Sequence, residues 1–194
     1  SIPNKCGTIL FRHRPGDLEG HWPPRGPWMG LKTLYAALLL HSERGGMIHA
    51  GGVKLGERSL VFLGQSGAGK STITGLLAEA FSPEIVLNDE SIALTIVNKK
   101  LIAHSTPFSG LLDKKRSRNQ AETNALFNLI QSPDFTIESF STADALRLVM
   151  QCTVLPPGSA RLEKQALIMA FNLAQLGNWK SIHFGQDAQK IKAS

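Results

Sequence analysis

A chain of 194 residues is about one domain, long enough to bury a core without disulfide or metal staples. Hydrophobic residues make up 42% and charged residues 19%, which excludes an intrinsically disordered chain. The formal charge of +6 suits an acidic ligand such as a polyphosphate, but no nucleic-acid-binding motif accompanies it, so no nucleic-acid partner is expected.

Ser1 to Pro27 is rich in Pro, Gly, Arg and His. Thr8–Phe11 fits a short edge strand, and Pro15–Pro27 reads as loop because Pro and Gly prevent regular pairing. Trp22 and Trp28 read as packing anchors, and Arg12, His13, Arg14 and Arg25 as cations available to an anion. Gly30–Ser42 predicts a helix with an extended apolar face, stopped by Gly45-Gly46. The longest apolar stretch, Trp28–Leu40, contains Lys32 and falls well short of the roughly 20 residues that span a bilayer. The chain begins at Ser1, as a trimmed piece of a longer protein would, and carries no basic leader with a cleavage site. Cys6 and Cys152 lack metal-binding spacing and read as reduced thiols, so a cytoplasmic protein without a membrane partner is expected.

Met47–Leu55 predicts a strand, Gly56-Glu57-Arg58 a turn, and Ser59–Leu63 a second strand. So short a turn requires an antiparallel pair. The second strand runs into a glycine-rich loop, followed by a helix over Lys70–Ala80 and a buried strand over Ile85–Leu87 that ends at Asn88-Asp89-Glu90. A hairpin follows, Ile92–Val97 and Leu101–His104 about Asn98-Lys99-Lys100, then a loop at Thr106–Gly110. Beyond the basic stretch Lys114–Asn119, a strand is predicted over Ala125–Ile130, helices over Thr142–Cys152 and Ala160–Leu176, and a last strand over Trp179–Phe184. Residues 1–28 are thus expected as an N-terminal loop and edge region, and 29–194 as one α/β domain.

Gly64-Gln65-Ser66-Gly67-Ala68-Gly69-Lys70-Ser71 matches G-x-x-x-x-G-K-[ST] in full, with a strand before and a helix after. Its glycines let backbone N–H groups turn inward at the positive end of the helix, where phosphate oxygens accept them. Lys70 supplies a cation for the outer phosphates, the Ser71 hydroxyl a ligand for Mg²⁺, and Thr72 continues the binding segment; Mg-ATP is the expected nucleotide. A parallel strand beside the loop strand would bring Asp89 to the same sheet edge, to hold Mg²⁺ or to accept a proton from an attacking hydroxyl; the alternative is a capping role. Glu90 reads either as a second metal ligand or as a solvated neighbour. His49, expected one strand from the phosphates, reads as structural or functional, and His104 as structural or a loop residue reaching the same mouth. Lys114, Lys115, Arg116 and Arg118 read as a solvated loop or a clamp for the acceptor's charge.

In this order, Ile48-His49-Ala50, Gly64 to Thr72, Leu87-Asn88-Asp89-Glu90 and Thr106-Pro107-Phe108-Ser109-Gly110 resemble the catalytic domain of HPr kinase/phosphorylase and its smaller relatives. The resemblance covers residues 30–110 and thins through the C-terminal helices. It implies a P-loop-containing, mixed sheet flanked by helices, related to ATP-dependent phosphoenolpyruvate carboxykinase. It also implies phosphoryl transfer from ATP to a hydroxyl, often of serine. Lys70 and Ser71 match the family's phosphate and metal residues, Asp89 its base and His49 its histidine near the phosphates. Asn88-Asp89-Glu90 stands where the parent enzymes have two adjacent aspartates, and the parent's downstream HPr-contacting segment is not found. Reduced relatives act on other acceptors, including free serine and the C-terminal serine of lasso-peptide precursors. Self-association into a homo-oligomer is implied by the resemblance alone. Two other readings stay open: a nucleotide sensor or scaffold that transfers nothing, and an ordinary small-molecule P-loop kinase with a parallel sheet and no antiparallel hairpin before the loop.

Overall fold

The computed structural model describes residues 26–110 and 119–185. Helix α1 (Gly26–His41) leads into β1 (Gly45–Ile48), β2 (Gly51–Leu55) and β3 (Arg58–Leu63). Helix α2 (Lys70–Ala80) and a 3-10 turn (Pro83–Ile85) precede β4 (Val86–Asn88), β5 (Ile92–Val97), β6 (Lys100–His104), β7 (Gln120–Gln131) and β8 (Thr136–Ser139). Helices α3 (Thr142–Cys152) and α4 (Ala160–Leu176) and strand β9 (Trp179–Phe184) follow. The expected Thr8–Phe11 strand, Cys6, Arg12, His13, Arg14, Trp22, Arg25 and the cations of the 114–118 run lie outside the described residues, as does the side chain of Trp28.

Helix α1 begins at Gly26 rather than at Gly30, so Gly26 and Pro27 are helical and not loop. Proline is tolerated there because a first-turn N–H has no intrahelical acceptor to lose. The α2, α3 and α4 bounds and β9 fall where the periodicity puts them. Ser141 and Ser159 cap α3 and α4, accepting from Asp144 N–H at 3.1 Å and Leu162 N–H at 3.4 Å. The β2–β3 hairpin is antiparallel about a two-residue loop, with Gly56 at φ 61° and Leu55 paired with Arg58. The β5–β6 hairpin turns on Asn98 and Lys99, both at positive φ, as a mirror-image turn demands.

The sheet is mixed and runs β1-β5-β6-β7-β3-β2-β4, with β9 pairing with both β7 and β8. Strands β3, β7 and β9 are parallel and the other pairings antiparallel. Twelve-residue β7 pairs with β6 over Gln120–Glu122 and with β9 over Leu126–Gln131. The expected single strand Met47–Leu55 is broken at His49-Ala50 into β1 and β2, which belong to opposite ends of the sheet path. Across the break the pairing keeps step, Ile48 facing Ile92 and Gly52 facing Asn88, four residues forward on one strand and four back on the other; beyond it the register slips by one residue between Gly52 and Val53, which faces Val86. Residues 45–55 and 86–97 therefore form one antiparallel ribbon bent at its middle, and that bend curls the sheet on itself. Strand β4 is not beside the loop strand, as expected from a parallel neighbour. It runs in the same direction as β3 with β2 between them, because the hairpin inserts its first strand.

Alternation along β3 divides the core. Val61 and Leu63 join Leu126, Leu148, Val149 and Leu173 under α3 and α4, while Phe62 faces Ile73 of α2 with Phe127, Leu129 and Phe184. Phe62 stacks on Phe127 with ring centroids 5.5 Å apart. Helix α1 covers the end of the sheet through Ala36, packed with Met47 and Phe108. Strand β8 was not foreseen. Its four residues are all exposed, so no buried alternation marks it, and pairing to β9 alone defines it.

Candidate functional site

The loop leaves the carboxyl end of β3 and enters α2, whose N-cap is Gly69 at φ 99° with no side-chain cap. The first N–H groups of α2 are thus left to a ligand or water rather than to a serine or aspartate. Gly67 is also at positive φ, at 82°. At Gly69 a methyl group would lie 2.6 Å from Phe184 Cζ, so both conformation and space require glycine. Lys70 is buried, and two of its three donors go to loop carbonyls, Gly64 O at 2.9 Å and Gln65 O at 3.0 Å. Burial lowers its pKa, partly offset by Cys152 and Glu90. An ammonium with one donor to spare, held against an uncapped helix end, fits an anion.

Across the cleft stand His49 and the Asp89-Glu90 pair, supplied by the two strands of the bent ribbon. His49 does not lie in the strand paired with the loop strand but in the bend between β1 and β2, which turns its ring into the cleft. Its Nδ1 lies 2.8 Å from Glu90 O and 3.4 Å from Glu90 Oε1. A carbonyl oxygen only accepts, so that bond places the hydrogen on Nδ1 and leaves Nε2 of a neutral ring as an acceptor. Glu90 Oε1 also accepts from Lys32 Nζ at 3.2 Å, across from α1. These partners hold the Glu90 carboxyl at about 2, below the usual 4.5, the His49 hydrogen bond leading and Lys32 assisting against the opposing effect of burial. The geometry favours a larger share for Lys32, because the shortest His49 contact is to the backbone oxygen. Glu90 is therefore tied to Lys32 and His49 while its side chain stays 37% exposed.

Asp89 is 2% exposed and accepts from Gly110 N–H at 2.9 Å. A methyl group at Gly110 would sit 2.8 Å from Asp89 Oδ2, so the 106–110 loop approaches the carboxylate as only glycine allows. Asn88 organises the turn. Its Nδ2 donates to Thr106 O at 2.9 Å and to Thr106 Oγ1 at 3.3 Å, while its Oδ1 accepts from Glu90 N–H at 2.8 Å and Ser91 N–H at 3.0 Å. An aspartate could not make the first two bonds, since it has no N–H to donate.

His49, Ser66, Gly67, Gly69, Lys70, Ser71, Thr72, Asp89 and Glu90 line one open cleft of about 270 Å³. His104 is not among them. It ends β6, contacts Thr95 Oγ1 at 2.8 Å, and burial lowers its pKa. Its register partners are Ala93 of β5 and Gln120 of β7. Cys152 is a buried free thiol under the loop, with Sγ 3.9 Å from Gly64 O, and burial raises its pKa. Among the described residues no group of three or more His, Cys, Asp or Glu side chains is arranged to hold an ion. The oxygen donors that line the cleft are the Ser71 hydroxyl and the Asp89 and Glu90 carboxylates, the ligand type that Mg²⁺ takes one or two of. No described helix is long and apolar enough to cross a membrane.

Sequence reasoning missed Lys32, Asn88 and Gly110. A lone cation in the apolar run of α1 was the available signal for Lys32, while the other two depend on contacts that no spacing reveals.

No protein-family model matches the chain, and no curated protein matches it. Among solved structures it is similar to the Hpr(Ser) kinase/phosphatase from Coxiella burnetii, with 13% identity and a TM-score of 0.41, over 76% of this chain and 90% of that one. At that distance the likeness carries no chemistry across, and the residues of the cleft have to speak for themselves.

Proposed function

We propose that residues 29–194 act as one catalytic domain that binds Mg-ATP on the glycine-rich loop and transfers its γ-phosphoryl group to a hydroxyl, of serine by preference. The observation that carries this reading is the convergence of Lys70 and Ser71 with His49, Asp89 and Glu90 around a single cleft. The antiparallel hairpin before the loop speaks against an ordinary parallel-sheet kinase.

In this reading the backbone of Gly64–Thr72 cradles the phosphates and Lys70 neutralises the outer ones. Ser71, with Asp89 or Glu90, would hold Mg²⁺, which when bound withdraws charge from the phosphate oxygens. Asp89 takes the acceptor's hydroxyl proton as the acceptor oxygen bonds to the γ-phosphorus; the bond from that phosphorus to the β–γ bridging oxygen breaks, and ADP leaves with that electron pair. Gly110 fixes the base by its N–H bond, and the Nδ1 bond of His49 aims Nε2 at the cleft. Catalysis is then mainly positioning and charge stabilisation.

The test follows label from γ-labelled ATP in Mg²⁺ buffer onto free serine, serine-ended peptides and host extract. Asp89→Asn should lower transfer by about 10²–10⁴-fold while nucleotide still binds, and Lys70→Ala should lower both. Undiminished transfer by Asp89→Asn would remove the base. Label that stays on ATP with every acceptor, although wild type binds nucleotide, would favour a sensor or scaffold.

A further inference from the structure

The carboxyl ends of β3, β7 and β9 share one edge of the sheet, because the three strands are parallel. β4 runs in the same direction and delivers Asp89 on one side of the loop, while β7 and β9 end on the other. There a second cleft, of about 390 Å³, opens between α2's first turn and the strand ends. Gly67, Gly69 and Thr72 line both this cleft and the one facing Asp89. The two are the arms of one trough wrapped around the start of α2.

The arms differ in chemistry. One carries Lys70, Asp89, Glu90 and His49. Among the described residues, the other has no charged side chain: its walls are glycines, Thr72, Gln131, Ser132, Pro133 and Phe184. A third cleft, of about 800 Å³, lies beyond the loop's other flank and carries Asp144 and Arg147. Gln131 Nε2 donates to Gly67 O at 2.7 Å, a strap from the end of β7 to the loop between the second and third clefts. Ser132 N–H donates to Phe184 O at 3.0 Å, so the strand ends that form the neutral wall are tied together. Phe184 is buried and supports the floor against Gly69.

We infer that this neutral arm is the subsite for the nucleoside end of the nucleotide, with the base and ribose lying between Thr72 and the Ser132-Pro133 turn. The inference rests on the phosphate-loop reading and extends it. Phosphates belong in the arm with the ammonium and the uncapped helix end; the uncharged, partly apolar base belongs in the arm without charges, at the open edge of parallel strands.

Calorimetric titration with Mg-ATP and with Mg-tripolyphosphate, which has the phosphates and no nucleoside, tests it. Wild type should bind ATP at least about tenfold more tightly than tripolyphosphate, and Ser132→Trp, which fills the arm, should erase that advantage while tripolyphosphate affinity holds within about twofold. Equal wild-type affinities, or unchanged ATP affinity in Ser132→Trp, would overturn the subsite. Should neither ligand bind wild type, the phosphate-loop reading falls and the subsite with it. Photocrosslinking of wild type with 8-azido-ATP is independent of any variant's folding. Label on the peptide containing Gln131–Phe135 is the expected result, and label on α3 would overturn the assignment in favour of the charged cleft.

Discussion

Glu90→Gln should make the protein less stable near neutral pH and nearly indistinguishable from wild type in acid. Folding lowers the Glu90 pKa from 4.5 to about 2 through His49 and Lys32. The folded state therefore binds fewer protons than the unfolded chain between those values. The stabilisation is complete above about 4.5 and is lost as pH falls toward 2. At about 1.36 kcal/mol per pH unit the lowering caps the contribution at about 3.4 kcal/mol. The carboxylate is 37% exposed and solvent screens it, so about 1–2 kcal/mol is the magnitude to expect. Urea unfolding of both proteins, with chelator and without nucleotide, measures the gap at a series of pH values from 7 down to 3. A gap of about 1–2 kcal/mol at pH 7 that shrinks below pH 4.5 supports the Lys32–Glu90–His49 arrangement. A gap that stays constant down to pH 3, or a more stable glutamine variant, refutes it.

Asn88→Asp should destabilise by about 2–4 kcal/mol, since it replaces two donors with an acceptor facing Thr106 O in a fully buried site; denaturant midpoints read this directly, and a neutral result would count against the hub. Gly69→Ala should cost about 2–4 kcal/mol, through left-handed backbone strain and overlap with Phe184. Thermal unfolding checks it, and an unchanged midpoint would mean that the loop does not hold this conformation.

Much of the fold was legible where local chemistry decides it. The Asn98-Lys99 turn and the short Gly56 turn announce themselves in residue type and position. The glycine-rich loop between β3 and α2 was legible for the same reason, because its glycines answer to its own backbone. What could not be read depends on partners distant in sequence. Lys32 lies 58 residues from Glu90, and nothing in α1 says where its ammonium goes. His49 was expected inside a strand running Met47–Leu55, and only pairing to β5 on one side and β3 on the other shows the bend. Strand β4 was expected beside β3, since an apolar run ending in an acid says nothing of what lies between.

The bent ribbon also limits how this chain can change. His49 and the Asp89-Glu90 pair sit at the middle of two strands whose pairing keeps step across the bend, from Ile48–Ile92 to Gly52–Asn88. Deleting or inserting one residue within 49–51 or 89–91 would put one half of the ribbon out of step with the other, and side chains of the displaced half would move to the opposite face, where the strands are buried on both faces and packed differently. Single substitutions at the bend leave that match untouched. Through this segment length should be far less negotiable than composition, so variants that retune the chemistry should arise by exchange of side chains, and changes of length should be confined to the turns beyond the ribbon's ends.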